Sequence, residues 1–290
     1  MSSVERSVSS VDMDDRLREK HFLNLARLVE THTGIRLPPA KRAMLEGRLR
    51  RRVRALGLSN LADYGKAIFQ EGRLAEEFQH VVDCATTNKT DFFREPQHFD
   101  FLRDYAFPAL MRLTRGRDCP LKLWSAAASI GAEAFTMAIV AAEAFGLDER
   151  AFTVLGTDIS GEVLAEARRA VYPAAFAEPI PPILRERYLM FARDASRQEI
   201  RIVPELRRRV RFEQLNLMDE SYPFDKNFDV IFCRNVLIYF ARATQEAVLR
   251  RLCRHLRVGG YLMLGHSESL AGNDQPSLRQ VAPTIFRHIA

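Results

Sequence analysis

Five short segments of the chain carry residue types that could do chemistry. In Asn88-Lys89-Thr90-Asp91-Phe92-Phe93-Arg94, two adjacent phenylalanines between polar residues predict an anchored segment that presents Thr90 and Arg94; a capped helix start at Thr90 is the plainer alternative. In Ser125-Ala126-Ala127-Ala128-Ser129-Ile130-Gly131-Ala132-Glu133, small residues between a strand and a helix let a ligand approach the backbone, although the same residues also serve simple packing. Asp158, ending the next apolar run, is placed to accept hydrogen bonds from ribose hydroxyls; otherwise it caps the helix that follows. Asn216-Leu217 can frame an adenine ring, or be an ordinary turn. In Cys233-Arg234-Asn235-Val236-Leu237-Ile238-Tyr239-Phe240, polar groups follow the most apolar run of the chain. Cys233 has no histidine base beside it, so it reads as a small buried residue rather than a nucleophile. The first turn lacks the GxGxxG spacing of a phosphate cradle.

Such residues work together only if a fold brings them to one place. From about Lys122 onward, short apolar runs alternate with helical patterns: Leu121–Trp124, a helix over Ala134–Phe145, Phe152–Gly156, a helix over Gly161–Ala170, Phe228–Cys233 and Tyr261–Leu264. That alternation predicts a parallel sheet covered on both faces, with ligands bound beyond the carboxyl ends of its strands. Thr284–Ile289 is expected as a final edge strand. Prolines at 173, 179, 181 and 182 break the pattern, and Glu199–Val203 and Val210–Leu215 look like short strands, so an inserted antiparallel β-subdomain is expected over about residues 172–215.

Residues 16–83 read as an all-α domain. Phe22, Leu25, Leu28 and Val29 recur at helical spacing, Gly34 suits a stop and Pro38-Pro39 a new start. The next helix sets Leu45, Leu49, Val53 and Leu56 against Arg48, Arg50, Arg51 and Arg54. A linker is expected over 84–120 and the main α/β domain over 121–290.

With 290 residues, 47% hydrophobic and 28% charged, the chain is neither disordered nor a disulfide scaffold. The net charge of +6 permits an acidic partner without selecting one. Cys84, Cys119, Cys233 and Cys253 lie far apart with no CxxC pair or metal-ligand spacing, as expected of reduced thiols in a cytoplasmic protein without a bound metal. Residues 1–15 are polar, lack the apolar core of a signal peptide and are expected to be disordered; no apolar run approaches a membrane span.

Taken together, these segments resemble the chemotaxis receptor methyltransferase family, the S-adenosylmethionine-dependent protein-glutamate O-methyltransferases. The resemblance rests on Thr87 to Glu95, Trp124 to Ser129 with Gly131 and Glu133, Thr157-Asp158-Ile159, Asn216-Leu217, Phe228 to Phe240 and Gly265-His266-Ser267-Glu268. It implies an all-α N-terminal domain, then a Rossmann-like methyltransferase domain with a small antiparallel β-subdomain insertion. It also implies cofactor contacts from Asn88, Thr90, Arg94, Glu133, Asp158, Asn216, Leu217, Cys233, Arg234 and Asn235, with Arg94 and Tyr239 nearest the transferred methyl group.

The substrate implied is glutamate on the acidic cytoplasmic helices of bacterial chemoreceptors. Arg48, Arg50, Arg51 and Arg54 would attract those helices, and the products would be glutamyl methyl esters and S-adenosylhomocysteine. The family usually reads STGEEPYS at the first turn. Here Ala132, Ala134 and Phe135 replace an acid, the proline and the tyrosine, while Glu133 remains. Some relatives grip a receptor-tail peptide with a β-subdomain loop that carries glycines; Phe191 to Glu199 has none, so no such tether is expected. A monomer is expected, with neither nucleic acid nor membrane insertion. An RNA methyltransferase and a non-catalytic S-adenosylmethionine sensor are the competing readings.

Overall fold

A computed structural model of the chain describes residues 15–114, 120–148, 150–194, 196–268 and 275–289. The expected disordered start lies outside them except for Asp15, as does Cys119. Among the described residues, no helix is long and apolar enough to cross a membrane. The chain divides into two compact units, Met1–Thr87 and Asn88–Ala290.

The first unit holds α1 (Glu19–Thr33), α2 (Arg42–Ala55), α3 (Leu61–Phe69) and α4 (Leu74–Ala85). Gly34, at φ 73°, ends α1 in the left-handed conformation that glycine adopts without a Cβ clash. Asn60 caps α3 by accepting from Asp63 N at 2.9 Å. Phe22, Leu25, Val29, Leu45, Leu49, Val53, Tyr64, Val81 and Val82 are buried in this unit. Arg52 makes a two-pronged pair with buried Glu77 at 2.9 and 2.7 Å, and Tyr64 OH donates to the same carboxylate at 3.2 Å.

The arginines expected to form one basic face on α2 are placed differently from one another. Arg48 donates to the carbonyls of Cys84 and Thr86 at the C-terminal end of α4, and Arg50 pairs with Asp15 at 2.7 Å. Arg51 and Arg54 are exposed. Helical spacing puts all four on one side of α2 but does not show which guanidinium finds an acceptor elsewhere in the unit.

The second unit begins with the segment 88–95 and a continuous helical stretch: α5 (Pro96–Phe101), a π-type turn at Leu102–Ala106, and α6 (Phe107–Thr114). There follow β1 (Leu121–Ala126), α7 (Ala132–Phe145), β2 (Phe152–Asp158), α8 (Gly161–Arg169), β3 (Val171–Pro173), α9 (Pro182–Tyr188), β4 (Leu189–Phe191), β5 (Glu199–Ile202), α10 (Pro204–Arg207) and β6 (Val210–Gln214). The unit closes with β7 (Phe228–Cys233), α11 (Arg242–His255), β8 (Leu256–Leu264), β9 (Leu278–Ala282) and β10 (Ile285–His288).

A seven-stranded sheet runs β6-β2-β1-β7-β8-β10-β9. Its first five strands are parallel; β10 pairs antiparallel with both β8 and β9. From β1 the chain builds outward to β2 and β6 on one side, then returns to add β7 and β8 on the other, so the strand order reverses beside β1. Ligand crevices open at such a switch point, beyond the strands' carboxyl ends. The register aligns those ends: Ala126 lies opposite Thr157 on one side and Cys233 on the other, and Cys233 lies opposite Leu264.

Two expectations about strands need correction. The small antiparallel sheet, β3-β5-β4, covers Val171–Ile202, whereas Val210–Gln214 joins the main sheet parallel to β2. The expected insertion over 172–215 therefore ran too far, because a short strand does not reveal its partner. Nor is the last strand an edge. β10 is buried between β8 and β9, and β9, exposed over its three central residues, carried no apolar run to announce it.

Candidate functional site

The turn after β1 is built from backbone conformations that side chains rarely adopt. Ala127 has φ 63°, Ser129 φ 52° and Gly131 φ 88°. At Gly131 a Cβ would stand 2.8 Å from Phe212 and 2.9 Å from the Ala167 side chain, so only glycine fits. Phe93, Glu95 and Asn235 also take positive φ. Strain of about 1–3 kcal/mol per residue persists only where the surroundings over-determine it, and it collects at functional sites.

Asp158 fastens this turn. One carboxylate oxygen accepts Ser129 N at 2.8 Å, and the other accepts Ser160 N at 3.0 Å. The cap of α8 is Ser160, whose hydroxyl accepts Val163 N, so Asp158 is not that helix's cap. Beside it, Leu215 N donates to the Asp158 carbonyl at 2.9 Å, which brings Asn216 and Leu217 to the end of β2. Asn216 Oδ1 accepts Met218 N at 3.0 Å, and the Leu217 carbonyl accepts Tyr222 OH at 2.9 Å, so these two residues also shape a turn.

The segment 88–95 is tied to the ends of β1 and β7. Ser129 Oγ donates to the Asn88 carbonyl at 2.9 Å, Phe93 N donates to Thr136 Oγ1 at 3.2 Å, and Arg234 donates to the Arg94 carbonyl. Phe92 is fully buried edge-on to Tyr172 at 5.1 Å, and Phe93 packs on Phe99. The two phenylalanines anchor the segment as expected and leave Thr90 and Arg94 half-buried, with Arg94 Nη1 donating to the Lys89 carbonyl at 2.9 Å.

At the centre lies Arg234, its side chain 1% exposed. Its guanidinium meets Glu95 at 3.1 Å and Glu133 at 3.4 Å, and sits over Phe99 and Phe232 at 5.5 and 5.3 Å. Glu133 also accepts Ser125 Oγ at 2.6 Å. Burial pushes the Glu133 carboxyl up against the opposing pull of Arg234. Burial pushes Glu95 the same way, but Arg234, the Asn235 amide and His266 together hold it below the usual carboxylate range. Two carboxylates around one guanidinium leave the cluster one charge negative when both are ionised.

Cys233 is fully buried, and burial raises its thiol well above the ordinary value, as expected of a residue that is not a nucleophile. Tyr239 is half-buried on the short 3-10 turn Leu237–Tyr239.

Sequence reasoning assigned no role to four residues that the fold brings here: Glu95, His98, His266 and Glu268. Glu95 and Glu268 stood inside motifs already singled out, but nothing in spacing announces that a carboxylate is buried. His98, inside α5, has its Nδ1 3.6 Å from Glu95 Oε2, and His266 Nε2 lies 4.0 Å from the same oxygen. Three such groups can surround a cation, yet Arg234 already supplies positive charge at that oxygen.

The donor set fits S-adenosylmethionine. Arg234 Nε and Nη1 are buried without a hydrogen-bond partner, while Glu133 and Asp158 offer acceptors. Buried donors next to buried acceptors complement a ligand carrying a carboxylate, an ammonium and ribose hydroxyls. The alanines at 126–128 keep the strand end free of bulk.

Comparison with known proteins agrees. The family description "CheR methyltransferase, SAM binding domain" matches residues 88–285, and "CheR methyltransferase, all-alpha domain" matches 20–86. The Chemotaxis protein methyltransferase of Salmonella typhimurium is 37% identical over 88% of this chain and 85% of its own. That of Borreliella burgdorferi is 35% identical over 95% and 96%, and Chemotaxis protein methyltransferase 2 of Pseudomonas aeruginosa is 37% identical over 88% of each.

Proposed function

The chain belongs to the CheR methyltransferase family and is an S-adenosylmethionine-dependent methyltransferase; on that premise we propose that it methylates glutamate side chains on the cytoplasmic helices of bacterial chemoreceptors, acting in the cytoplasm. The observation that carries this reading is the buried Arg234–Glu95–Glu133 cluster beside the Asp158 turn, with Arg94 held at its margin.

A glutamate acceptor, with an ordinary pKa of about 4.3, is already an anion near pH 7 and needs no base. S-Adenosylmethionine, when bound, supplies a sulfonium methyl group that needs no further activation. What the protein must add is alignment and exclusion of water. Arg234 would donate to the ligand's carboxylate, Glu133 would accept from its ammonium, and Asp158 would accept from ribose hydroxyls. Asn88, Thr90, Cys233 and Asn235 line the site, and Asn216 and Leu217 frame the base. Arg94 steers the acceptor carboxylate through a charge-assisted contact, and Tyr239 orients it.

On the substrate side, Arg48, Arg51 and Arg54 are the exposed residues of the α2 basic face, while Arg48 and Arg50 are also engaged within their own unit. The protein acts as a monomer, without a receptor-tail tether or nucleic acid. The test incubates it with methyl-labelled S-adenosylmethionine and membranes containing chemoreceptors, followed by mild base. Label on the receptor released as methanol supports carboxyl methyl esters. No receptor label, from protein that binds the cofactor, refutes the reading in favour of a sensor or another substrate.

A further inference from the structure

Glu268 follows β8, and no step so far uses it. Its side chain is buried, and backbone donors occupy both oxygens. Oε1 accepts Val236 N and Leu237 N at 2.9 and 2.8 Å; Oε2 accepts Asn235 N and Gly265 N at 2.9 and 2.7 Å. Three of the four donors belong to the turn that leads from Arg234 to Tyr239. That turn starts at Asn235 in the left-handed region, φ 57°, and closes with Tyr239 N donating to the Val236 carbonyl at 3.1 Å. From the other side, Gln245 Nε2 donates to the carbonyls of Leu237 and Phe240 at 3.0 and 3.2 Å. Leu237 is buried and Ile238 exposed, so one apolar side chain anchors the turn while these hydrogen bonds hold its backbone.

The arrangement demands the carboxylate. All four partners are N–H donors, so an amide in its place would turn an NH2 group against two of them, leaving buried donors unpaired. There is no slack either: a Cβ on Gly265 would stand 2.6 Å from Asn235 Nδ2, 2.9 Å from Asn235 N and 3.0 Å from Glu268 Oε2.

We propose that Glu268 is a positioning residue for methyl transfer: it holds the Asn235–Tyr239 turn so that Tyr239 meets the acceptor carboxylate, while touching neither the cofactor nor the substrate. The proposal rests on the reading that places Tyr239 at the transferred methyl group. Misplacing a positioned group by about 1 Å can cost a hundredfold in rate, with little change in binding at a distance.

The test compares the wild-type chain with Glu268→Gln, measuring base-labile methanol from labelled receptor membranes, S-adenosylmethionine affinity by calorimetry, and the melting temperature. The expected result is a kcat at least about tenfold lower, with receptor KM and cofactor Kd within about threefold of wild type. Faster hydrogen exchange at the Val236 and Leu237 amides should accompany it. A folded variant with kcat within about twofold of wild type overturns the proposal, as does a loss confined to cofactor affinity. If Glu268→Gln does not fold, Gly265→Ala decides: it keeps the carboxylate but crowds Asn235, and the same split of kcat from KM is expected, with an unchanged kcat overturning the proposal. Failure of the methyl-ester reading shows in the wild type alone, as receptor without base-labile label. Failure of the present proposal shows as an active wild type matched by its variants.

Discussion

His98 should make the protein's stability depend on pH in a defined window. The ring is buried, 1% exposed, and its Nε2 lies 2.9 Å from Thr284 Oγ1. Its Nδ1 lies 3.6 Å from Glu95 Oε2. Burial, and then the nearby positive charge of Arg234, push His98 down to about 4 from its ordinary 6.5. Glu95 opposes that shift, and His266 adds a smaller push in the same direction as Arg234. The unfolded chain then binds the proton more readily than the folded one. This contribution is fully present above about pH 6.5 and is lost as pH falls towards 4.

The span from 6.5 to about 4, at about 1.4 kcal/mol per pH unit, amounts to roughly 3 kcal/mol. The perturbation is His98→Gln, which keeps an amide N–H for Thr284 but does not titrate. Urea denaturation of both proteins at several pH values between 7.5 and 4.5 is the assay, since the acid loss from carboxylates is common to both and cancels in the difference. The variant should start less stable through lost ring packing, and the gap should close by about 2–3 kcal/mol across the window. Curves that fall in parallel would refute the neutral buried imidazole.

Other expectations follow from the same geometry. Arg94→Ala should lower turnover by about tenfold or more, with cofactor affinity nearly unchanged, since its role is placement of the acceptor; comparing kcat with calorimetric Kd checks this. Asp158→Ala should weaken cofactor binding and also destabilise by about 1–3 kcal/mol, because Ser129 N and Ser160 N lose their acceptor. Arg52→Ala should cost about 3 kcal/mol in denaturant unfolding, since it leaves the buried Glu77 carboxylate without its cation. Double charge reversal at Arg51 and Arg54 should raise receptor KM at low salt, with the effect shrinking as salt is added.

The departures from the family turn acquire a physical account only in the folded chain. Ala132 is fully buried at the start of α7, where a carboxylate would need a partner. Phe135 is 1% exposed and packs edge-on to Phe212 at 5.5 Å. Phe212 in turn fills the space over Gly131 and Gly156, where an added Cβ would stand 2.8 and 2.5 Å from its ring. The missing acid and hydroxyl are thus matched by apolar packing beneath the site, while Glu133 keeps its place beside Arg234.

Much of this protein was legible in the order of its residues. Helical spacing, Gly34 and Pro38-Pro39 mark the α-domain because local sterics and chain breaking act over three or four residues. The alternation of apolar runs and helices marks the parallel sheet because crossovers bury both of its faces. Motif types brought Asn88, Arg94, Glu133, Asp158 and Arg234 forward as candidates. Pairing was not legible. That Val210–Gln214 lies beside β2, that β10 is interior, that Arg48 reaches carbonyls at the end of α4, and that Glu95 and Glu133 share one guanidinium all depend on contacts between residues distant in the chain. Glu268 shows the difference most clearly. Its identity is in the sequence, but its four donors come together only when β7 and β8 lie side by side, because a buried carboxylate is defined by what surrounds it and not by its neighbours in the chain.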